Sequence, residues 1–151
     1  MALSLEFKIK RFKELSLTEL YSILQLRSEV FVVEQNCVYQ DLDGKDNKAL
    51  HVIGYCNDEI VAYTRLFDQG YYFEEASIGR VVVSPKYRDK KWGFQLMQVS
   101  IKAVNEHFRT TKITISAQQY LTKFYQSLGF VQTSEMYLED DIPHIQMKME
   151  E

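Results

Sequence analysis

Between Val81 and Phe94 the chain reads Val-Val-Val-Ser-Pro-Lys-Tyr-Arg-Asp-Lys-Lys-Trp-Gly-Phe. A β-branched run stopped by Pro85 enters a turn that carries Lys86, Arg88, Lys90 and Lys91, and a helical pattern follows. The first N–H groups of a helix have no intrahelical partner and sit at the positive end of its dipole, so a helix start beside such a turn binds phosphate. Gly93 offers no side chain where a diphosphate would approach the backbone. The same stretch also reads as a solvated basic loop with a small residue at a helix start.

Groups suited to moving protons are few. Histidine titrates closest to neutrality, and the chain has His51, His107 and His144. His51 begins a strand-like run and His144 follows Pro143 at the start of another, so both are general-base candidates facing a central cleft, or else packed structural residues. Glu34 is the third base candidate. His107, late in a helix, reads as a partner for that helix's C-terminal dipole. Arg27 falls on the apolar face marked by Leu20, Ile23, Leu24, Val30 and Phe31, where a guanidinium needs a carboxylate to offset its desolvation. Glu34 lies on about the same face if the helix persists that far. Arg27 and Glu34 therefore read either as a structural pair or as substrate-binding groups. Asp41, Asp43 and Asp46 form an acidic loop, either a solvated turn or an attractor of a cationic amine; its spacing does not match a calcium loop. Cys37 and Cys56 lack CxxC spacing and read as structural, and no metal site is indicated.

These residues must be positioned by a mixture of strands and helices. Leu5 to Lys10 alternates apolar and polar residues as a half-buried strand does. Ser16 and Glu19 form a capping box at the head of the first helix. Leu50–Cys56 and Glu59–Phe67 are strand-like runs joined by a tight turn at Asn57-Asp58. Ile78–Ser84 suits a strand buried on both faces. A helix is expected from Phe94, with Met97, Ile101, Val104 and Phe108 on one stripe, followed by a strand over Lys112–Ala117. Leu121–Leu128 reads as a short helix capped by Gly129. Phe130–Leu138 and His144–Met149 close the chain as strands around the acidic turn Glu139-Asp140-Asp141. The order β-α-β-β-β-α-β-α-β-β, rich in hairpins, predicts an α/β (α+β) mixed sheet in a single domain, 1–151.

The length, 151 residues, suits one domain, and 46% hydrophobic with 26% charged residues matches a folded globular protein rather than a disordered one. The net charge of -3 argues against a nucleic-acid partner. The N-terminal lysines interrupt any signal-peptide core, and no apolar run approaches the roughly 20 residues of a membrane span. The expectation is a soluble, cytoplasmic protein with no membrane partner; its oligomeric state, a homodimer included, is left open.

Two motifs resemble those of the GCN5-related N-acetyltransferases (GNAT). Arg88 to Gly93 is similar to the acyl-CoA-binding pattern Arg/Gln-x-x-Gly-x-Gly/Ala after the fourth strand, with Lys91 in place of its first glycine. Phe124-Tyr125-Gln126-Ser127-Leu128-Gly129-Phe130 is similar to the family's Φ-Tyr-x-x-x-Gly-Phe signature. Leu24 to Cys37, Tyr39 to Gly44 and Ile142-Pro143-His144-Ile145 narrow the resemblance to the ElaA-like branch, over about Leu15 to Met149. The resemblance implies a GNAT-type, mostly antiparallel sheet and an acyl-CoA-dependent N-acyltransferase, with acetyl-CoA as co-substrate. It implies that Val81, Val82 and Val83 pair with the pantetheine arm, and that Arg88, Asp89, Lys90, Lys91, Trp92, Gly93 and Phe94 form the diphosphate loop. By the same analogy Tyr125 protonates the leaving thiolate and a main-chain N–H near Val83 polarises the thioester. The acceptor, a small-molecule or peptide amine, is not implied. Leu26-Arg27 and Val30-Phe31-Val32 with Glu34-Gln35 also resemble the start of acyl-homoserine-lactone synthases, and a non-catalytic acyl-CoA sensor is the alternative of a different class.

Overall fold

The computed structural model describes residues 3–150. In chain order the elements are β1 (Glu6–Arg11), α1 (Leu17–Arg27), β2 (Leu50–Cys56), β3 (Glu59–Phe67), β4 (Ala76–Val83), α2 (Trp92–Phe108), β5 (Ile113–Gln118), α3 (Thr122–Ser127), β6 (Val131–Gln132), β7 (Tyr137–Glu139) and β8 (Ile142–Met149). The strands form one eight-stranded sheet in the order β1-β2-β3-β4-β5-β8-β6, with β7 also paired to β8. Every pairing is antiparallel except β4 with β5. The expected mixed, mostly antiparallel sheet is what the chain builds.

Helices cover both faces. Ile23, Leu26 and Val30 pack on Ile53, Tyr63 and Val82. The neighbouring residues Val52, Ala62 and Leu66 point the other way, toward Leu96, Met97 and Val104 of α2. This alternation is the period-2 rule of strands. The hairpin turns sit where the polar dipeptides are. Asn57 and Asp58 both have positive φ, as do Asp140 and Asp141, the backbone that two-residue hairpins require. Gly129, at φ 104, ends α3, and the next amide, Phe130 N, donates to Tyr125 O at 3.1 Å.

Two expectations change. The strand expected over Phe130–Leu138 is broken into β6 and β7. Between them Ser134 Oγ accepts the Gln146 amide at 2.9 Å, a side chain standing in for the ladder partner. The first helix does not continue regularly beyond Arg27. Over Ser28–Glu34 it widens into i→i+5 turns, with Gln35 N bonded to Val30 O and Cys37 N to Val32 O, both at 3.1 Å. Wider turns rotate less per residue, so Glu34 no longer shares a face with Arg27.

The capping box forms: Glu19 N donates to Ser16 Oγ at 3.0 Å and Ser16 N to Glu19 Oε1 at 2.9 Å. The Glu19 carboxylate also takes hydrogen bonds from Lys10 Nζ at 2.9 Å and Tyr55 Oη at 2.5 Å, tying α1 to β1 and β2. Burial acts to raise its pKa, but the bonds from Tyr55, the Ser16 amide and Lys10 prevail and lower it to about 2. A carboxylate held below its unfolded value stabilises the fold above that value and loses the contribution as pH falls toward 2. Glu19→Gln is therefore expected to cost about 1–2 kcal/mol at pH 7. The gap to the parent should close as pH falls from 4.5 to 2, read by urea unfolding across that range.

Candidate active site

β4 and β5 pair as parallel strands only at Ala76–Ile113 and Ser77–Thr114. Beyond those positions they splay, and the gap becomes a cleft in two connected halves. Val81 to Val83, Arg88, Lys91, Gly93 and Phe124 line one half, of about 760 Å³. Aromatic residues, Ser116, Tyr125, Glu139 and His144 line the other, of about 140 Å³. Phe31, Gln35, Val81, Gln118 and Leu121 border both.

The larger half is built by β4 and the start of α2. Ser84 N donates to Val61 O on β3 at 2.7 Å. By alternation the peptide groups of Val83 and Val81 face away from β3, toward the gap. Arg88 Nε reaches Val83 O at 3.4 Å, as that direction requires. Arg88 is fixed by Glu34, whose two carboxylate oxygens accept from Nη1 at 2.7 Å and Nη2 at 2.5 Å. Hydrogen bonding to Arg88 holds the Glu34 pKa below the usual carboxylate value. Glu34 thus stands against the cation of this half and outside the lining of the smaller one.

The expected diphosphate loop divides on inspection. Arg88, Lys91, Gly93 and Phe94 line the cleft, whereas Asp89 and Lys90 are exposed on the outer side of the turn. Trp92 is turned inward, packed with Cys56 and Val61 and stacked on Tyr87, so its side chain belongs to the core. Lys91 adopts the left-handed conformation, φ 59 and ψ 28. That backbone explains why the resembling motif has glycine at this position: a side chain there is strained by about 1–2 kcal/mol yet keeps the same N–H directions. A Cβ built on Gly93 would meet only Phe124 Cζ at 3.7 Å, an ordinary contact. The protein leaves that space open, a cradle that a bound diphosphate could fill against the first N–H groups of a 17-residue helix. The residues present fit coenzyme A.

In the smaller half Tyr125 is buried at 6% exposure beneath Phe124 and Phe130. Burial pushes its pKa well above the ordinary phenol value, so it keeps its proton at neutral pH. Its α3 neighbour Phe124 lines the larger half and Leu121, just before α3, borders both, which puts Tyr125 near the junction. Across from it, His144 Nδ1 is 2.7 Å from Ile142 O. A carbonyl only accepts, so Nδ1 carries the proton and Nε2 is the free base position in the neutral ring. Glu139 Oε2 is 3.5 Å from Nε2, and Glu139 Oε1 accepts from Ser116 Oγ at 3.0 Å. Ser116 Oγ in turn is 2.5 Å from Tyr137 Oη. The sequence reading did not single out Glu139, Ser116 or Tyr137; they meet only because β7 and β5 flank β8 on opposite sides.

Arg27 and His51 lie elsewhere. Arg27 is fully buried, with Nε on Asp41 Oδ2 at 2.9 Å and Nη1 on Asp46 Oδ1 at 2.7 Å. Its partners are those aspartates, not Glu34, and it lines neither half of the cleft. The acidic loop is accordingly no solvated turn. Asp43 makes a two-pronged pair with Arg65 at 2.8 Å, and Asp41 Oδ1 accepts from Arg80 Nε at 2.7 Å. Burial opposes the charge on Asp43, but Arg65 prevails and holds its pKa at about 2. Three arginines and three aspartates compensate one another. His51 Nε2 is 2.9 Å from Asp46 O, so it carries the ring proton, and Nδ1 is 2.5 Å from Tyr63 Oη. Burial lowers its pKa, and no lone pair remains free for a substrate. This network also holds a bulge in β4: Tyr63 faces Val82 and Arg65 faces Gly79, leaving Arg80 and Val81 opposite Thr64. Arg80 has φ 50 there. Arg65 and Arg80 escaped the sequence reading, although an arginine inside the apolar run Ile60–Phe67 was a usable signal.

The Acetyltransferase (GNAT) domain profile matches residues 16–151, which makes the chain an N-acetyltransferase by class. The chain belongs to the GNAT acetyltransferase family. It is 45% identical over 148 residues to the protein ElaA of Escherichia coli, covering 97% of each chain. The crystal structure of that ElaA superposes with a TM-score of 0.90, covering 96% of this chain and 99% of that one. An acyl-CoA N-acyltransferase from Pseudomonas aeruginosa superposes at 0.91 with 42% identity, over 97% and 99% of the chains. An aminoglycoside 6'-N-acetyltransferase solved with coenzyme A shares the fold at 0.69 and 15% identity, over 93% and 95% of the chains. No helix among the described residues is long and apolar enough to cross a membrane.

Removing one charge from a compensated buried cluster strands its partners. Asp41→Asn leaves Arg27 and Arg80 facing a neutral amide and is expected to cost about 3–5 kcal/mol, read as a fall in the urea midpoint.

Proposed function

We propose that this chain transfers an acetyl group from acetyl-CoA to a primary amine by direct attack, without a covalent enzyme intermediate. The observation that carries the reading is the position of Tyr125: it lines the smaller half of the cleft while the adjacent Phe124 of α3 lines the larger one. Arg88, Lys91 and the amides at the start of α2 take the diphosphate. The free peptide groups of Val81 and Val83 pair with the pantetheine arm, and an N–H at Val83 polarises the thioester carbonyl. Glu34 acts as the anchor of Arg88, and Arg27 and His51 as parts of the buried network.

His144 serves as the base. An amine arriving as its ammonium gives one proton to Nε2, and its nitrogen attacks the thioester carbonyl carbon to form the new N–C bond. As the tetrahedral carbon collapses the C–S bond breaks, and Tyr125 gives its hydroxyl proton to sulfur. The nitrogen's second proton restores the phenol. The balance is one amide, one coenzyme A thiol and one proton released to solvent through His144. Because burial keeps Tyr125 protonated far above the roughly 8.5 of a free thiol, it is an available acid at every pH where the amine reacts. Holding amine and thioester side by side supplies the remaining acceleration.

Titration calorimetry with acetyl-CoA tests the cofactor assignment. One-site binding is expected, weakened about 10- to 100-fold in Arg88→Ala by loss of a charge-assisted contact. Gly93→Val separates stability from binding, because the site tolerates a Cβ. The variant should unfold within about 1 kcal/mol of the parent while acetyl-CoA binding falls at least tenfold. Tyr125→Phe should bind acetyl-CoA normally but lower kcat about 100-fold or more. Unchanged turnover would remove Tyr125 from the mechanism, and binding without turnover on any amine would identify a non-catalytic sensor.

A further inference from the structure

Resting on that reading, we infer that the smaller half of the cleft selects a small primary monoamine with a flat apolar body of about one ring and no carboxylate beside the nitrogen. Three observations converge on it. The first is size: about 140 Å³ of cavity, against the roughly 150 Å³ apolar cavity that admits a single benzene ring. The second is the wall. Phe67, Tyr72 and Phe73 form a continuous aromatic surface, with Tyr72 stacked on Phe67 at 5.7 Å and edge-on to Phe73 at 5.1 Å. All three line the cavity. Such a surface receives a planar apolar body, while Arg65 and Lys45 already sit over the Phe67 and Tyr72 rings, at 4.9 and 4.7 Å from their centroids.

The third observation is charge. Arg65 and Arg80 are the cations on the lining, and both are already committed. Both Arg65 terminal nitrogens bond to Asp43 or Asp46, and its remaining Nε is buried without a partner in the protein. Arg80 is held by the side chain and carbonyl of Asp41. A substrate carboxylate entering this half would meet arginines whose charge Asp41, Asp43 and Asp46 already balance, and would face Glu139 and Asp140. Glu139 has the opposite effect on an ammonium. Its side chain is 44% exposed, oriented by Ser116, and beside the His144 Nε2 that must take the amine's proton. Glu139 therefore steers the cationic nitrogen to the base while the aromatic wall takes the rest of the molecule.

The experiment pairs amines that differ in one group, with released coenzyme A thiol as the signal. Phenethylamine should exceed L-phenylalanine, the same body with an added carboxylate, by 100-fold or more in kcat/KM, and should exceed a lysine-containing peptide likewise. Glu139→Gln should raise KM for phenethylamine about tenfold and leave KM for acetyl-CoA unchanged. L-Phenylalanine or the peptide used equally well, or a Glu139→Gln effect on both KM values alike, would overturn the assignment. Calorimetry on the same preparation distinguishes the failures. Acetyl-CoA binding without acetylation of phenethylamine removes the acceptor assignment alone, whereas no acetyl-CoA binding removes the acetyltransfer reading beneath it.

Discussion

Parallel pairing between β4 and β5 ends after two residue pairs, and nearly everything functional in this chain follows from that limit. Two strands that part company leave unpaired peptide groups along their facing edges. Such groups cannot stay buried without partners, so the gap must hold either water or a ligand able to accept and donate along an extended backbone. The gap also opens a path from the start of α2 on one side to the β7-β8 hairpin on the other. An extended cleft thus crosses the middle of the sheet between the two.

The buried network of arginines and aspartates maintains this opening. Arg27 comes from α1, Arg65 from β3 and Arg80 from the bulge of β4, and all three converge on the loop carrying Asp41, Asp43 and Asp46. Replacing such a cluster with apolar residues could leave a sheet equally stable. The cluster's geometric effect is less replaceable, because it holds Arg80 at a positive φ and keeps the bulge beside the point where the strands diverge. It also balances the charge of Arg65 and Arg80 on the wall of the smaller half, where Glu139 and Asp140 add negative charge. The same aspartates thus act on both the packing of the sheet and the charge of the cleft wall.

The two halves of the cleft divide the labour by chemistry. The larger is lined by Arg88, Lys91 and the start of α2; the smaller is lined by aromatic rings, the carboxylates of Glu139 and Asp140, and the His144 imidazole. Tyr125, protonated because it is buried, stands where the two meet.

Local patterns in the sequence set the order of elements as far as α3, the turns at Asn57-Asp58 and Asp140-Asp141, the capping box at Ser16, and the basic turn that runs into α2. These are local: dihedral preference, alternation, a cap, and a basic turn running into a helix lie within a few residues of one another. Arg88, Lys91 and Gly93 stood out as part of that turn, whereas Tyr125 stood out only through the resemblance of its motif. Tertiary structure decided the rest. Arg27 found Asp41 and Asp46 rather than Glu34 because the widened turns after α1 rotate Glu34 toward Arg88. His51 lost its candidacy as a base to Tyr63 and a main-chain carbonyl, and Trp92 turned into the core. Glu139 and Ser116 joined His144 only when β5, β7 and β8 came together. Pairings between residues so far apart in the chain depend on strand register and packing, which no local pattern records.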